Sequence, residues 1–172
     1  MRFPSFLAIF LLVVTVTFDA VFALPFPNAS NPPPRVPSVE ELMEKHMIVR
    51  KDKALFYTGA IPLATRIAYQ QATGLETMRD SWKEKSFIYP YRADQRVKSP
   101  FFYNASVAMA KMVTGKVHVL MPEDCPDSGR PTSAWHMYEW PYLQREGIEV
   151  IRVNVDKSGK VVGTKRIWPK GQ

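Results

Sequence analysis

The order of strand-like and helix-like segments limits the fold of this chain more than any other feature of its sequence. Candidate strands cover residues 54–57, 117–121 and 149–155, and helix-like stretches cover 62–72 and 105–113. Strands that alternate with helices typically form a parallel sheet with helices packed against it. The sequence therefore predicts an α/β fold with a mainly parallel sheet flanked by helices.

A turn sequence near the end of the chain predicts a C-terminal hairpin. Residues 156–159 read Asp-Lys-Ser-Gly and separate two β-branched runs, 150–155 and 161–167. A short turn with glycine between two such runs is typical of a β-hairpin. We therefore expect an antiparallel pair at the edge of the sheet, within a single compact domain.

The first residues have the order of a secretory signal peptide. Arg2 precedes an apolar run at 6–16, and the segment ends in Val-Phe-Ala at 21–23. The run is shorter than the roughly 20 residues that a membrane-spanning helix needs. We therefore predict a signal peptide at 1–23, no membrane anchor, and a secreted, extracellular product.

Residues 24–37 form a proline-rich linker or pro-segment that precedes the predicted domain at 38–172. The segment reads LPFPNASNPPPRVP, and its prolines favour extended polyproline conformation over regular hydrogen bonding. Asn28 begins an Asn-Ala-Ser sequence and is the predicted glycosylation site. Ser38 then starts a short helix, in which Glu41 has the spacing of a capping box.

Cysteine content and charge exclude some kinds of site and leave others open. Cys125 is the only cysteine, so it is left for a disulfide between chains or for a free thiol. The cysteine and three histidines lack zinc-site spacing, and no metal site is predicted. The net charge of +7 fits either an acidic partner or a solubilising surface, and the oligomeric state stays open.

Three segments place polar or aromatic groups at the ends of predicted elements. Residues 54–59 form a strand that breaks at Gly59 before a helix, whose N-terminus suits a phosphate or is an ordinary turn. Residues 99–117 open a helix with Phe101, Phe102 and Tyr103, which also suit a core. Residues 133–143 place Glu139 between aromatic rings, as a surface residue or as a catalytic carboxylate.

In this order, the three segments resemble the ADP-ribosyl cyclase family, which includes the molluscan cyclase and mammalian ectoenzymes. The family's Phe-Trp-Ser-Gly strand end corresponds to residues 56–59, and its Leu-Glu pair corresponds to 75–76. Its Ser-Phe-Trp segment and Gly-Glu-Val strand correspond to 100–110 and 115–117. The most specific match is Tyr-Glu-x-Pro-x-Leu, which is present at 138–143.

The resemblance implies a role for individual residues. Glu139 takes the place of the family's catalytic glutamate, and Glu76 that of the acid that holds the nicotinamide amide. Tyr57 and Phe102 replace two active-site tryptophans, and Trp135 replaces the ring of the last motif. The remaining predicted substrate-binding residues are Thr58, Gly59, Ser106 and Ala134.

These residues favour a secreted enzyme that cleaves NAD, a glycohydrolase with or without cyclase activity. NAD is then the small-molecule substrate, and neither a cofactor nor a nucleic-acid partner is expected. A buried carboxylate stabilises the oxocarbenium-like charge that forms on the ribose. Candidate cations for the pyrophosphate are Lys98, Lys111 and Arg130.

Two alternatives stay open at the level of sequence. The positive charge and the histidines at 46, 118 and 136 also fit a secreted nuclease-type toxin that acts on phosphodiesters. A non-catalytic secreted interaction protein is the second alternative, because both family tryptophans are replaced.

Overall fold

A four-stranded sheet forms the centre of the structure, which is a computed structural model. The strands are β1 (Leu55–Tyr57), β2 (Lys116–Pro122), β3 (Glu149–Val155) and β4 (Val161–Trp168). They lie in the order β1-β2-β3-β4; the first three are parallel, and β4 pairs antiparallel with β3. The predicted α/β fold, with its mainly parallel sheet and C-terminal hairpin, is confirmed.

The structure describes residues 31–169. The predicted signal peptide, Asn28 and most of the proline-rich segment lie outside the described residues and stay predictions. Contacts within the chain divide it into two compact units between Pro32 and Pro33. The sheet, its helices and the cavities belong to the unit that begins at Pro33. No helix of the described residues combines the length and apolar character that crossing a bilayer requires.

Within residues 31–169, five α-helices, two π-helical turns and one 3₁₀ turn surround the sheet. They are α1 (Val39–Glu41), which continues as a π-helix (Leu42–His46); α2 (Leu63–Thr73); a 3₁₀ turn (Lys85–Ile88) and α3 (Tyr89–Ala93); α4 (Gln95–Met112); and a π-helical turn (Trp135–Glu139) followed by α5 (Trp140–Arg145). Helix α1 is capped by Ser38 as predicted, but the Glu41 carboxylate binds Arg35 at 2.6 Å. The half of the capping box that needs this carboxylate is therefore absent.

Helix α4 begins ten residues before the predicted start at 105. The Asp94 side chain accepts from the Arg96 amide and caps the helix there. The helix then continues through Pro100, a residue that normally interrupts helices. Val97 and Phe101 are both buried in the core, and their packing offsets the local cost of the proline.

The alternation of side chains along the strands separates the core into two clusters. On one face, Phe56, Val119 and Val150 pack in one cluster with Phe101 and Met109 of α4. On the other face, a smaller cluster contains Leu55, Leu120 and Val153, with Tyr69 of α2 packed against it. Helix α2 covers this second face without burying any residue completely.

The end of the proline-rich segment contacts the domain. The Tyr91 hydroxyl donates to the Arg35 carbonyl at 3.3 Å, and the Asn104 amide donates to the Pro37 carbonyl at 2.8 Å. Cys125 carries a free, buried thiol. A disulfide between chains therefore requires the loop around Cys125 to open.

Candidate functional site

A cavity of about 390 Å³ lies at the carboxyl end of β1. In parallel sheets this end of the strands is the usual place for a ligand. The cavity is lined by the end of β1, by α4 and by the segment that enters the π-helical turn: Leu55, Phe56, Tyr57, Thr58, Gly59, Met78, Ser106, Met109, Thr132, Ser133, Ala134, Trp135 and Glu139.

The fold brings most of the predicted site residues to this cavity. They come from segments that are far apart in the sequence: Tyr57, Thr58, Gly59, Ser106, Ala134, Trp135 and Glu139. The sequence did not single out Met78, Met109 or Thr132, which also line it. The sequence could have indicated them only by their position, because each lies within a few residues of a predicted site residue or on the same helix.

Glu76 and Phe102 are absent from the cavity lining. Glu76 Oε1 lies 3.0 Å from Arg50 Nη1, and the Glu76 backbone pairs with the segment that leads into β1. Phe102 packs edge-on against Phe101, with ring centroids 5.2 Å apart. The roles of Glu76 and Phe102 toward a substrate stay predictions.

Glu139 is the only carboxyl group among the described residues that line the cavity. It ends the π-helical turn, and 7% of its surface is exposed. Burial raises the pKa of Glu139 to about 7, and a hydrogen bond from Ser106 opposes this shift. The carboxyl group therefore exchanges its proton near neutral pH.

Trp135 forms a fixed wall of the cavity. Its indole Nε1 donates to the Asp127 carbonyl at 3.1 Å, and its ring lies 5.7 Å from that of Phe56. Gly129 has φ +79° and allows close approach, because a Cβ there would lie 2.7 Å from Trp135 Cδ1. Next to Trp135, the Ser133 hydroxyl donates to the Arg130 carbonyl at 2.7 Å.

Arg152 on β3 fixes the loop that holds Trp135. The guanidinium is 3% exposed and uses all its donors. Its partners, at 2.7–3.1 Å, are the carbonyls of Pro122, Glu123 and Cys125, the Asp127 carboxylate and the Asn154 side chain. The loop at 122–127 is thereby bound to the sheet, and Asp127 in turn holds the indole.

The end of β1 and the start of α2 contain polar atoms without partners. Thr58 is 7% exposed and lines the cavity, yet its Oγ1 has no hydrogen-bond partner in the described part of the chain. The Arg66 guanidinium lies over the Tyr57 ring, 4.2 Å from the centroid, and its buried Nε also lacks a partner. Groups of this kind normally find a protein, solvent or ligand partner.

The predicted cations lie elsewhere. Lys111 Nζ is 3.6 Å from Glu40 Oε1, and Arg130 Nη2 is 3.9 Å from Asp124 Oδ2. Neither of these residues nor Lys98 lines the cavity. Arg66 does not line the cavity either, although its guanidinium lies over the ring of Tyr57, which does.

The three histidines do not share a site. His46 stacks on Phe87 at 3.7 Å, the His118 Nδ1 lies 3.0 Å from the Tyr69 hydroxyl, and the His136 Nδ1 lies 3.1 Å from the Ser128 carbonyl. The described residues contain no group of three or more potential ligands for a metal ion. This arrangement does not support acid–base chemistry by a pair of histidines.

A second, more open cavity of about 450 Å³ surrounds Arg152, Asp127 and Lys165. Asp127 Oδ1 lies 2.7 Å from Arg152 Nη1 and 3.1 Å from Lys165 Nζ. Because these charges already pair with one another, the cavity at Glu139 is the stronger candidate.

Comparisons with known proteins give a match of fold alone. No protein-family model matches the sequence, and no curated protein matches it. Porcine CD38 complexed with a covalent intermediate, ribo-F-ribose-5′-phosphate, matches with 20% identity and a TM-score of 0.51. The match covers 71% of this chain and 61% of the porcine chain. This likeness confirms the resemblance to the cyclase family at the level of fold.

Two further structures match with lower scores. The apo structure of porcine CD38 has 18% identity and a TM-score of 0.48, with 77% of this chain and 65% of that chain covered. Aplysia cyclase, complexed with substrate NGD and product cGDPR, has 16% identity and a TM-score of 0.46, with 66% and 53% covered. In each match, this chain spans less than two thirds of the known structure.

Proposed function

We propose that this chain is a secreted NAD-cleaving enzyme that releases nicotinamide, with Glu139 as its catalytic residue. The observation that carries the proposal is one buried carboxyl group, with a pKa raised to about 7, in a cavity walled by aromatic rings. Enzymes that form cationic intermediates use a carboxylate in such a place, where water does not screen its charge.

The reaction breaks the bond between ribose C1′ and the pyridinium nitrogen of NAD. The electron pair of this bond goes to nicotinamide, which leaves as a neutral molecule and therefore needs no general acid. Positive charge develops on the ribose, where the Glu139 carboxylate stabilises it. Water then adds to C1′ and loses a proton, which gives ADP-ribose.

A bound NAD molecule favours the ionised form of Glu139. The pyridinium is a cation, and a nearby cation lowers the pKa of a carboxyl group. Tyr57 is the partly exposed ring of the lining, whereas Trp135 and Phe56 are almost completely buried, so Tyr57 offers the surface on which the leaving pyridine can stack. The expected pH profile therefore rises through neutrality in kcat/KM, which reports the free enzyme.

The fold comparison supports this proposal from outside the chain. Porcine CD38, which has a similar fold, was solved with a ribose-5′-phosphate derivative as a covalent intermediate. A carboxylate that faces C1′ is suited to stabilise or bind such a species. The signal-peptide prediction at 1–23 supplies the secretory part of the proposal.

The experiment is incubation of the secreted protein with NAD, followed by chromatography for nicotinamide. Glu139→Gln keeps the size of the side chain but removes its charge, and we expect turnover to fall at least about a hundredfold. Glu84→Gln, a change at an exposed carboxylate, is the matched control and should leave turnover unchanged.

Near-normal turnover in folded Glu139→Gln would contradict the assignment. If the unmodified protein degrades RNA and releases no nicotinamide, the nuclease alternative replaces the proposal. If it does neither, a non-catalytic interaction protein replaces it.

A further inference from the structure

Helix α2 turns its apolar side chains toward the outside and its polar groups toward the sheet. Its partly buried residues each carry a polar group: Thr65, Arg66, Tyr69 and Gln70. Up to Ala72, its exposed side chains are apolar except for Gln71, and they are Leu63, Ala64, Ile67, Ala68 and Ala72. A surface helix normally does the opposite and buries its apolar stripe.

Hydrogen bonds on the inner side fix this orientation of α2. The Thr65 hydroxyl donates to the Gly159 carbonyl at 2.7 Å, and the Tyr69 hydroxyl lies 3.0 Å from His118 Nδ1. A rotation of the helix that buried the apolar stripe would break both contacts. The outward position of the stripe is therefore a defined feature of the fold.

The outer face of α2 carries two bulky apolar side chains on successive turns. Leu63 is 52% exposed and Ile67 is 44% exposed. Residues four apart lie on the same side of a helix, and the alanines beside them extend the patch. Single exposed apolar residues are ordinary, but a contiguous apolar patch typically marks an interaction surface.

Unpaired cations lie at both ends of this patch. The turn of the β3–β4 hairpin is bonded to the first turn of α2 through Gly159, and it carries the exposed Lys157 and Lys160. At the other end, Lys53 Nζ lies 3.7 Å from the position that a Cβ on Gly74 would take. None of these three lysines forms an ion pair among the described residues.

The charge around the patch favours one kind of partner over another. Helix α2 contains no acidic residue, and the hairpin turn has one acid, Asp156, against two lysines. In a symmetric dimer the same patch meets itself, so lysines would face lysines. An anionic surface would instead meet opposite charge, and the net charge of +7 acts in the same direction.

We propose that the outer face of α2 docks on an anionic lipid surface. Leu63 and Ile67 enter the boundary between headgroups and acyl chains, and Lys53, Lys157 and Lys160 bind the negatively charged headgroups. This is attachment at the surface by one side of a helix, without a membrane-spanning segment. It does not depend on Glu139 or on cleavage of NAD.

The test is co-sedimentation of the secreted protein with vesicles of phosphatidylcholine, with and without phosphatidylserine. Binding should be at least about tenfold stronger when phosphatidylserine is present, because each lysine near such a surface adds to the attraction. Salt at about 1 M should release the protein, since the Debye length is then only about 3 Å.

Two pairs of variants test the residues. Ile67→Ser should weaken binding at least about tenfold, whereas Ile48→Ser, at an isoleucine that is 51% exposed outside α2, should not change it. Lys160→Gln should weaken binding to phosphatidylserine vesicles about fivefold, and Lys85→Gln, at an exposed lysine of the 3₁₀ turn, is its control. Circular dichroism checks that each variant is folded.

Three results would overturn the proposal. The first is binding that is absent or equal for the two kinds of vesicle. The second is unchanged binding by folded Ile67→Ser. The third comes from analytical ultracentrifugation without lipid, where a dimer that dissociates in Ile67→Ser but not in Ile48→Ser would assign this face to a second copy of the chain.

Discussion

The two walls of the cavity differ in how completely their polar groups are satisfied. On the Trp135 wall, the indole donates to Asp127, and Arg152 uses every donor to hold the loop behind it. On the β1–α2 wall, Thr58 Oγ1 has no partner within the described chain. The same is true of the Nε of Arg66, which packs on the wall residue Tyr57 without lining the cavity itself. The polar groups of the first wall are hydrogen-bonded within the protein, whereas polar groups of the second wall can still form hydrogen bonds.

This difference separates structural from ligand-binding roles among residues of the same type. A buried polar group costs free energy unless it is hydrogen-bonded, so the fully bonded Arg152 has its place explained by the fold. The fold does not explain the unsatisfied groups beside Tyr57 in the same way. The first wall should therefore respond to mutation mainly in stability, and the second mainly in affinity.

The largest expected effect is on the Trp135 wall. Arg152→Met should lower the free energy of unfolding by about 3–5 kcal/mol, because it leaves buried carbonyls and the Asp127 carboxylate without their donor. Arg66→Met removes a half-buried guanidinium without an ion pair, and it should cost less than about 1 kcal/mol. Chemical denaturation measures both changes in the free energy of unfolding. Equal destabilisation by the two changes would contradict the proposed difference between the walls.

The next effect concerns the cost of burying Glu139. Its pKa is raised from 4.5 to about 7, so below pH 4.5 both the folded and the unfolded chain hold the proton and no cost arises. As the pH rises from 4.5 to about 7, only the unfolded chain ionises, and stability falls. Above about 7 the cost is complete, on the order of 3 kcal/mol.

Glu139→Gln removes this cost and should be more stable than the unmodified protein at pH 8, by up to about 3 kcal/mol. The two proteins should converge as the pH approaches 4. Thermal or chemical unfolding across this pH range measures the difference, and Glu84→Gln should show no such trend. A difference that does not depend on pH would mean that the Glu139 carboxyl is not held protonated by burial.

The sequence predicted the strands because these depend on local patterns, and the family resemblance predicted much of the cavity. Periodicity and turn residues located β1 to β4 within a residue or two. The resemblance then assigned Thr58, Trp135 and Glu139 to one site, and the fold brings them to one cavity.

Features that depend on distant contacts were not predictable in this way. The packing of Phe101 decides that α4 continues through Pro100, and no local pattern contains that contact. The ion pair of Glu76 with Arg50 depends on the path of a loop. Arg66 was not singled out, because only the assembled fold shows that its buried Nε lacks a hydrogen-bond partner among the described residues.

The smallest expected effect is on the ratio of cyclic to linear product. It concerns Ala134, an exposed residue that lines the cavity beside Trp135. Cyclisation requires the adenine to fold back onto the ribose carbon before water arrives, and an aromatic ring beside the cavity favours this pose by stacking. Ala134 offers no such surface, so linear ADP-ribose should dominate over the cyclic product.

Ala134→Phe should raise the ratio of cyclic to linear product by about two- to tenfold, the range that a stacking contact of about 0.5–1.5 kcal/mol gives. Ala134→Leu adds bulk without a ring and is the matched control, with a smaller change expected. Product ratios are read by chromatography at equal NAD consumption. Mostly cyclic product from the unmodified protein would show that Ala134 does not decide the outcome. Trp135, whose indole is already held by the Asp127 carbonyl, would then be the residue on this wall that orients the adenine.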